Sequence, residues 1–217
     1  MRLRLLAPVL VAILIALPLG GCLSVLPDPE IPAALIALPP ERAQAPADPL
    51  RADVAVYPPD ASRAYAGLNI AVRTDQEVVY LANVRWVDAP TRLLQGAVVD
   101  ALTHAGGEGH AVTAQLGVRV DYDVRWRIVE LSASKETGPV KAEVEVSLLD
   151  AATRRTVAQQ SFKAEGSPSS RNPRDRAAAL AVAAQSVANQ VAAFVAKVTP
   201  PNPPVAPAKP AAPPPAN

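Results

Sequence analysis

Val140, Ala142, Val144, Val146 and Leu148 alternate with Lys141, Glu143 and Glu145, the two-residue period of a strand with one face in a core and the other in water. The same period runs through Leu116, Val118, Val120, Tyr122, Val124, Trp126 and Ile128, opposed by Arg119, Asp121, Asp123, Arg125 and Arg127. It slips near Val129 and Leu131, which predicts a bulge or the strand's end. Thr156 to Ala164 is predicted as a third strand with Ala158, Phe162 and Ala164 inward. Polar connections around Lys135 to Pro139 and Asp150 to Arg155 make the three a meander. In an antiparallel pair the acids of the middle strand face the arginines of the first. Each exposed pair of this kind contributes about 0 to 1 kcal/mol, so it sets register more than stability.

Upstream the pattern is shorter and more broken. Ile31 to Leu38 reads as a brief first strand closed by Pro39-Pro40, and Leu50 to Tyr57 as a half-buried strand stopped by Pro58-Pro59. Asn69 to Val72 and Glu77 to Val84 are predicted to pair antiparallel across Arg73 to Gln76. Two stretches carry the helical period instead. Pro90 to Ala105 places Leu93, Leu94, Ala97, Val98, Ala101 and Leu102 on one face, with Arg92, Gln95 and Asp100 pointing away. Pro90 suits a first helical position and Asp88 the positive end of the helix dipole. Asn172-Pro173-Arg174-Asp175 opens the second helix, whose face is Leu180, Ala184, Val187, Val191, Phe194 and Val198, with Arg174, Gln185 and Asn189 elsewhere. The expected fold is α+β, a two-layer sandwich of a mainly antiparallel sheet with two helices packed on one face, and Trp86 and Trp126 are expected in its core.

The ends of the chain differ from this middle. Arg2 and Arg4 precede an apolar run from Leu5 to Leu19 that is too short and too proline-broken for a membrane span, and Leu19-Gly20-Gly21-Cys22 follows. Residues 1–21 read as a signal peptide. Residues 22–30 read as an extended tether, 31–198 as one domain, and 199–217 as a proline-rich tail that is disordered or polyproline II. Most of the 24 prolines lie near the two ends of the mature chain. Removal of the leader leaves 19 basic against 20 acidic residues. That balance implies neither nucleic acid nor a strongly anionic surface as partner.

Candidate chemistry is sparse. His104 and His110 flank Gly106-Gly107-Glu108-Gly109 without a nearby cysteine or a zinc-binding spacing, and read as surface groups at a helix end. No strand leads directly into these glycines and no lysine-bearing helix follows, so they serve the helix C-terminus rather than a phosphate. Ser132, Ser134 and Ser167 to Ser170 are placed in loops with no nucleophile elbow. Asp121 and Asp123 alternate with arginines as a solvated strand face does. No catalytic residue, metal or cofactor is expected, and the chain does not read as an enzyme.

Leu19-Gly20-Gly21-Cys22 resembles the lipobox of bacterial lipoproteins, which makes Cys22, the only cysteine, the lipid anchor. Leu23 in place of aspartate after it is similar to the outer-membrane class, with the domain facing the periplasm. Tyr80, Arg85-Trp86, Pro90 and Leu93-Leu94, followed by the Leu116 to Ile128 and Val140 to Leu148 strands, Phe162 and the alanine-rich last helix, resemble the ABC-type transport auxiliary lipoproteins. This is the PqiC-like family associated with MCE-domain transport systems. The resemblance covers Ile31 to Val198, and the six motif residues read as structural. It implies a non-catalytic accessory subunit that partners an MCE-domain protein and ABC transporter subunits, with a possible homo-oligomer, and moves lipids or other apolar molecules across the envelope. The proline-rich tail departs from the family's pattern. It leaves open a second role, a structural envelope lipoprotein binding cell wall or a wall enzyme through that tail.

Overall fold

A computed structural model describes residues 34–135 and 138–200. The leader, Cys22, the tether and residues 201–217 lie outside the described residues. The described part is α+β, with a mixed sheet of nine strands. The strands are β1 (Ala34–Ile36), β2 (Val54–Val56), β3 (Asp60–Ala61), β4 (Asn69–Thr74), β5 (Glu77–Trp86), β6 (Ala111–Thr113), β7 (Tyr122–Ser134), β8 (Val140–Asp150) and β9 (Thr156–Gly166). The helices are α1 (Arg63–Ala66), α2 (Pro90–Thr103) and α3 (Pro173–Val198).

The long strand β7 organises the sheet. On one side it carries the antiparallel meander β7–β8–β9, in which Arg127 lies opposite Glu145 and Val144 opposite both Ile128 and Phe162. On the other side the chain runs parallel to β7 in three instalments: β2 beside Tyr122–Val124, β3 beside Arg127–Ile128 and β4 beside Ser132–Ser134. Pro58-Pro59 and the short α1 interrupt what would otherwise be one long strand, since proline gives no ladder donor. β6 adds to β2, and β5 and β1 continue outward from β4.

The bulge read near Val129 lies between Ile128 and Glu130, but the strand starts later than its pattern suggests. Leu116 ends a 3-10 turn, Gly117 is left-handed at φ 65°, and Leu116 and Val118 are exposed. Backbone bonds decide this: the amides of Asp121 and Tyr122 both donate to the Asp53 carbonyl, which pins the start of the ladder there. Leu50 to Tyr57 also differs from the expected half-buried strand. Only Val54–Val56 is a strand, and all three of its residues are buried, because it lies between β6 and β7 beneath α2.

α2 and α3 pack on each other and on the sheet. Asn172 accepts the Arg174 amide at 2.9 Å and opens α3. With 26 residues the helix is about 39 Å long. It is long and apolar enough to cross a membrane, yet most of it is buried inside the domain. Ala177, Ala181, Ala184, Ala188 and Ala192 are buried along it and let its backbone approach its neighbours closely. The two tryptophans are in the core, and the Trp126 indole donates to the Tyr57 carbonyl at 2.6 Å. Gln95 and Gln185, read as pointing away from the helix faces, are buried. Gln95 donates to the Val56 carbonyl at 2.7 Å and Gln185 to Asn189 at 3.0 Å, so each amide is satisfied inside the fold.

Candidate interaction surface

The six motif residues run along β5 into α2. Trp86, Pro90 and Leu94 are buried, Arg85 and Leu93 are half-buried, and Tyr80 is exposed. Pro90 is the first residue of α2, and the Asp88 carboxylate accepts the Ala89 amide at 2.6 Å. β5 is bent between these groups. Asn69 pairs with Arg85 but Ala71 with Tyr80, so Leu81 to Val84 face Ile70 alone, and Asn83 takes a left-handed φ of 57° to absorb the excess.

The bend turns Leu81 and Val84 into the core and leaves the outer half of β5 bare. Val78, Val79 and Tyr80 are each 40–48% exposed. β1 reaches only Val84 to Trp86, so among the described residues no strand lies beyond Glu77–Ala82. An open strand edge with apolar side chains is a template for another chain. Leu35 and Val87 extend the exposed apolar set past the bend.

Beside this edge the solvent face of the sheet holds a polar cleft of about 460 Å³ lined by Arg73, Asp75, Glu130, Ser132, Ser134 and Lys141. The two serines are in β7 rather than in a loop, because the strand runs further than its apolar pattern. Ser132 is buried and donates to Glu130 at 2.9 Å, and Arg73 lies 3.6 Å from the same carboxylate. Burial pushes the Tyr65 hydroxyl above its usual value; Glu130 adds to the rise and Arg73 opposes it. These charges satisfy one another.

A strap formed by residues 37–47 crosses the helical layer. Asn189 fastens it, donating to the Arg42 carbonyl at 2.8 Å and accepting the Gln44 amide at 3.2 Å. One side of the strap faces α2 across a cleft of about 310 Å³ that includes Leu38, Leu93 and Ala97. The other faces α3 across a groove of about 930 Å³ whose floor is Val182, Ala183, Ser186, Gln190 and Ala193, with Glu165 at one end. The strap begins at Ala37 and Leu38, where the first strand was expected to continue but β1 has ended at Ile36. Its only sequence signal is Asn189, a polar residue in an alanine-rich helix.

Among the described residues no group of three or more His, Cys, Asp and Glu side chains is placed to hold a metal ion. His104 and His110 are exposed; His104 lies against its own helix at the Asp100 carbonyl and His110 against Asp53 at 3.1 Å. Asp121 and Asp123 are not a solvated face. Asp121 accepts the Asp53 amide at 3.0 Å, and Asp123 is buried and ion-paired with Arg154, which a left-handed φ of 62° turns toward it. A distant turn neutralises Asp123, which no local pattern shows.

A family profile described as the ABC-type transport auxiliary lipoprotein component matches residues 34–192. No curated protein matches the sequence. Among solved structures, protein XCC0632 from Xanthomonas campestris is similar with a TM-score of 0.67 and 21% identity, covering 76% of this chain and 94% of that one. An uncharacterised protein is similar at a TM-score of 0.57 and 15% identity, covering 76% and 98%. The lipoprotein GNA1162 from Neisseria meningitidis reaches 0.38 and 14%, covering 65% and 98%. At these identities the first two likenesses are ones of fold.

Proposed function

The chain belongs to the family of ABC-type transport auxiliary lipoprotein components, and on that premise we propose that it is a non-catalytic accessory subunit, anchored by lipidated Cys22 in the outer membrane. Its domain, residues 31–198, faces the periplasm and docks an MCE-domain protein of the transporter, assisting movement of lipids or other apolar molecules across the envelope. Family membership supplies the transporter as partner. The observation that supports a docking role is the bare outer half of β5, where Val78, Val79 and Tyr80 are exposed beside an unpaired backbone edge. Such an edge binds by main-chain hydrogen bonds, with alternate side chains giving specificity.

The anchor and the edge are tested separately. Globomycin, or Cys22→Ser, is expected to leave the leader unprocessed and remove the protein from the outer-membrane fraction; normal processing overturns the anchor. Tyr80→Glu with Val78→Lys is expected to abolish co-purification of the transporter subunits while the circular dichroism melt stays unchanged. Full recovery of those subunits with the double variant overturns the docking edge. Retention on isolated cell wall that is lost with residues 199–217 would favour the structural envelope role instead.

A further inference from the structure

The groove between the strap and α3 is distinct from the β5 edge and unused by the docking role. Of its floor residues, Val182, Ser186, Gln190 and Ala193 fall on one stripe of the helix, about 16 Å long. Val182, Ser186 and Ala193 are small enough to admit a chain in contact with the helix. We infer that this groove binds an extended proline-rich segment, and that its occupant is the chain's own residues 201–217, lying antiparallel to α3.

Three observations carry this. The first is the exit of the chain. Thr199 has already left the helix in an extended conformation, φ −68° and ψ 112°, close to polyproline II. It is also buried, with its hydroxyl bonded to the Val195 carbonyl, so the chain leaves the helix while still against the domain and one short helical stretch from Ala193.

The second is chemistry. The segment Pro-Asn-Pro-Pro-Val-Ala-Pro-Ala-Lys-Pro that begins at Pro201 is rich in carbonyl acceptors and poor in amide donors. The groove is lined by Gln44, Gln190, Ser186 and Arg42, side chains that donate. A polyproline II segment is ordered before binding, so little conformational entropy is lost when it docks.

The third is charge and register. The groove holds Glu41 and Glu165 against Arg42, Glu165 is exposed and only loosely paired with Lys141 at 4.0 Å, and the tail carries one charged side chain, Lys209. Ten steps of polyproline II from Thr199 to Lys209 cover about 31 Å. Val182 lies about 25 Å back along the helix from Thr199, and Glu165 lines the groove near that end, since its neighbour Gly166 sits against the Ala179 backbone. The extra length is what a reversal of direction uses, so Lys209 falls beside Glu165.

The test uses the full chain in detergent with Cys22→Ser, so that a spin label on Ala43→Cys, exposed on the strap beside the groove, has a single site. The label is expected to broaden the amide signals of Val205, Ala206, Ala208 and Lys209 beyond detection, and Lys209→Glu is expected to restore them. Deleting residues 201–217 is expected to speed amide exchange at Gln44, Ala45 and Ala47 roughly tenfold. Sharp tail signals in the labelled protein overturn the proposal. So does broadening seen only when labelled and isotopically enriched copies are mixed, which assigns the groove to a second copy's tail. Unchanged broadening with Lys209→Glu overturns the register opposite Glu165.

Discussion

The two flanks of β7 are built differently. On one side β8 and β9 run the whole length of the strand as an antiparallel meander, with Val140, Ala142, Val144, Val146 and Leu148 all buried against α3. On the other side the same length is covered in fragments, and β5, which β1 covers only at Val84–Trp86, is bent at Asn83 and carries exposed Val78, Val79 and Tyr80. The meander lays regular strands against α3, whereas the bent flank buries Ile70, Val84 and Trp86 yet leaves the Val78–Tyr80 stretch of β5 uncovered.

The largest effect should come from breaking the meander's side. Leu180 is fully buried in α3, and Leu180→Ala is expected to destabilise by about 2–5 kcal/mol through lost burial and the cavity left behind. Tyr80→Ala on the opposite flank should stay within about 0.5 kcal/mol. Urea unfolding of both variants checks this pair of values. Equal destabilisation would mean that Tyr80 carries packing and that the flank is not a free surface.

The regular side was the legible one. Burial on a single face of β8, and of its neighbours, produces the two-residue period, and Arg127 meets Glu145 at 2.8 Å as the charge pattern predicts. The fold class and both long helices follow from the same kind of local signal. On the other flank the antiparallel β4–β5 pair was legible as expected, but the rest was not, for physical reasons. Its parallel pairings bring together residues some 60 to 70 positions apart and need no local repeat. Leu116 and Val118 continue a strand pattern into a loop because the Asp53 carbonyl, far away in sequence, decides where pairing starts. Of the candidate surface, Tyr80 was visible as a motif residue, but its exposure depends on the bend at Asn83, and the strap depends on bonds from Asn189 to residues 42 and 44.

Glycines sharpen the comparison at a middle scale. A Cβ on Gly109 would stand 2.3 Å from the Ala52 carbonyl oxygen, and one on Gly107 2.2 Å from that of Leu50. The loop after α2 therefore lies directly on the backbone that leads into β2, and the glycines serve close approach as well as the helix end. Gly109→Ala is expected to cost about 1–3 kcal/mol, since backbone must move to admit it. Gly96, inside α2 with open space around it, should behave oppositely. Gly96→Ala is expected to stabilise by about 1 kcal/mol through helix propensity. Thermal melts of the two variants in opposite directions bear out the packing; a drop for both would show that the α2 face at Gly96 is closed.

The smallest effect concerns how the meander's turn is clamped. The Asp150 carboxylate accepts the Thr153 amide at 2.6 Å and its hydroxyl at 2.8 Å, and these bonds hold its carboxyl below the usual value. A depressed carboxyl contributes stability that is complete above the ordinary carboxylate range and is lost as pH falls through the lowered value. Asparagine keeps an oxygen to accept the same bonds but does not titrate. Asp150→Asn should therefore lose less stability than the natural chain between neutral pH and about pH 2, with the two curves parallel above the carboxylate range. Urea unfolding of both proteins at a series of pH values checks this, and coincident acid limbs would show that the Thr153 bonds do not hold the carboxyl low.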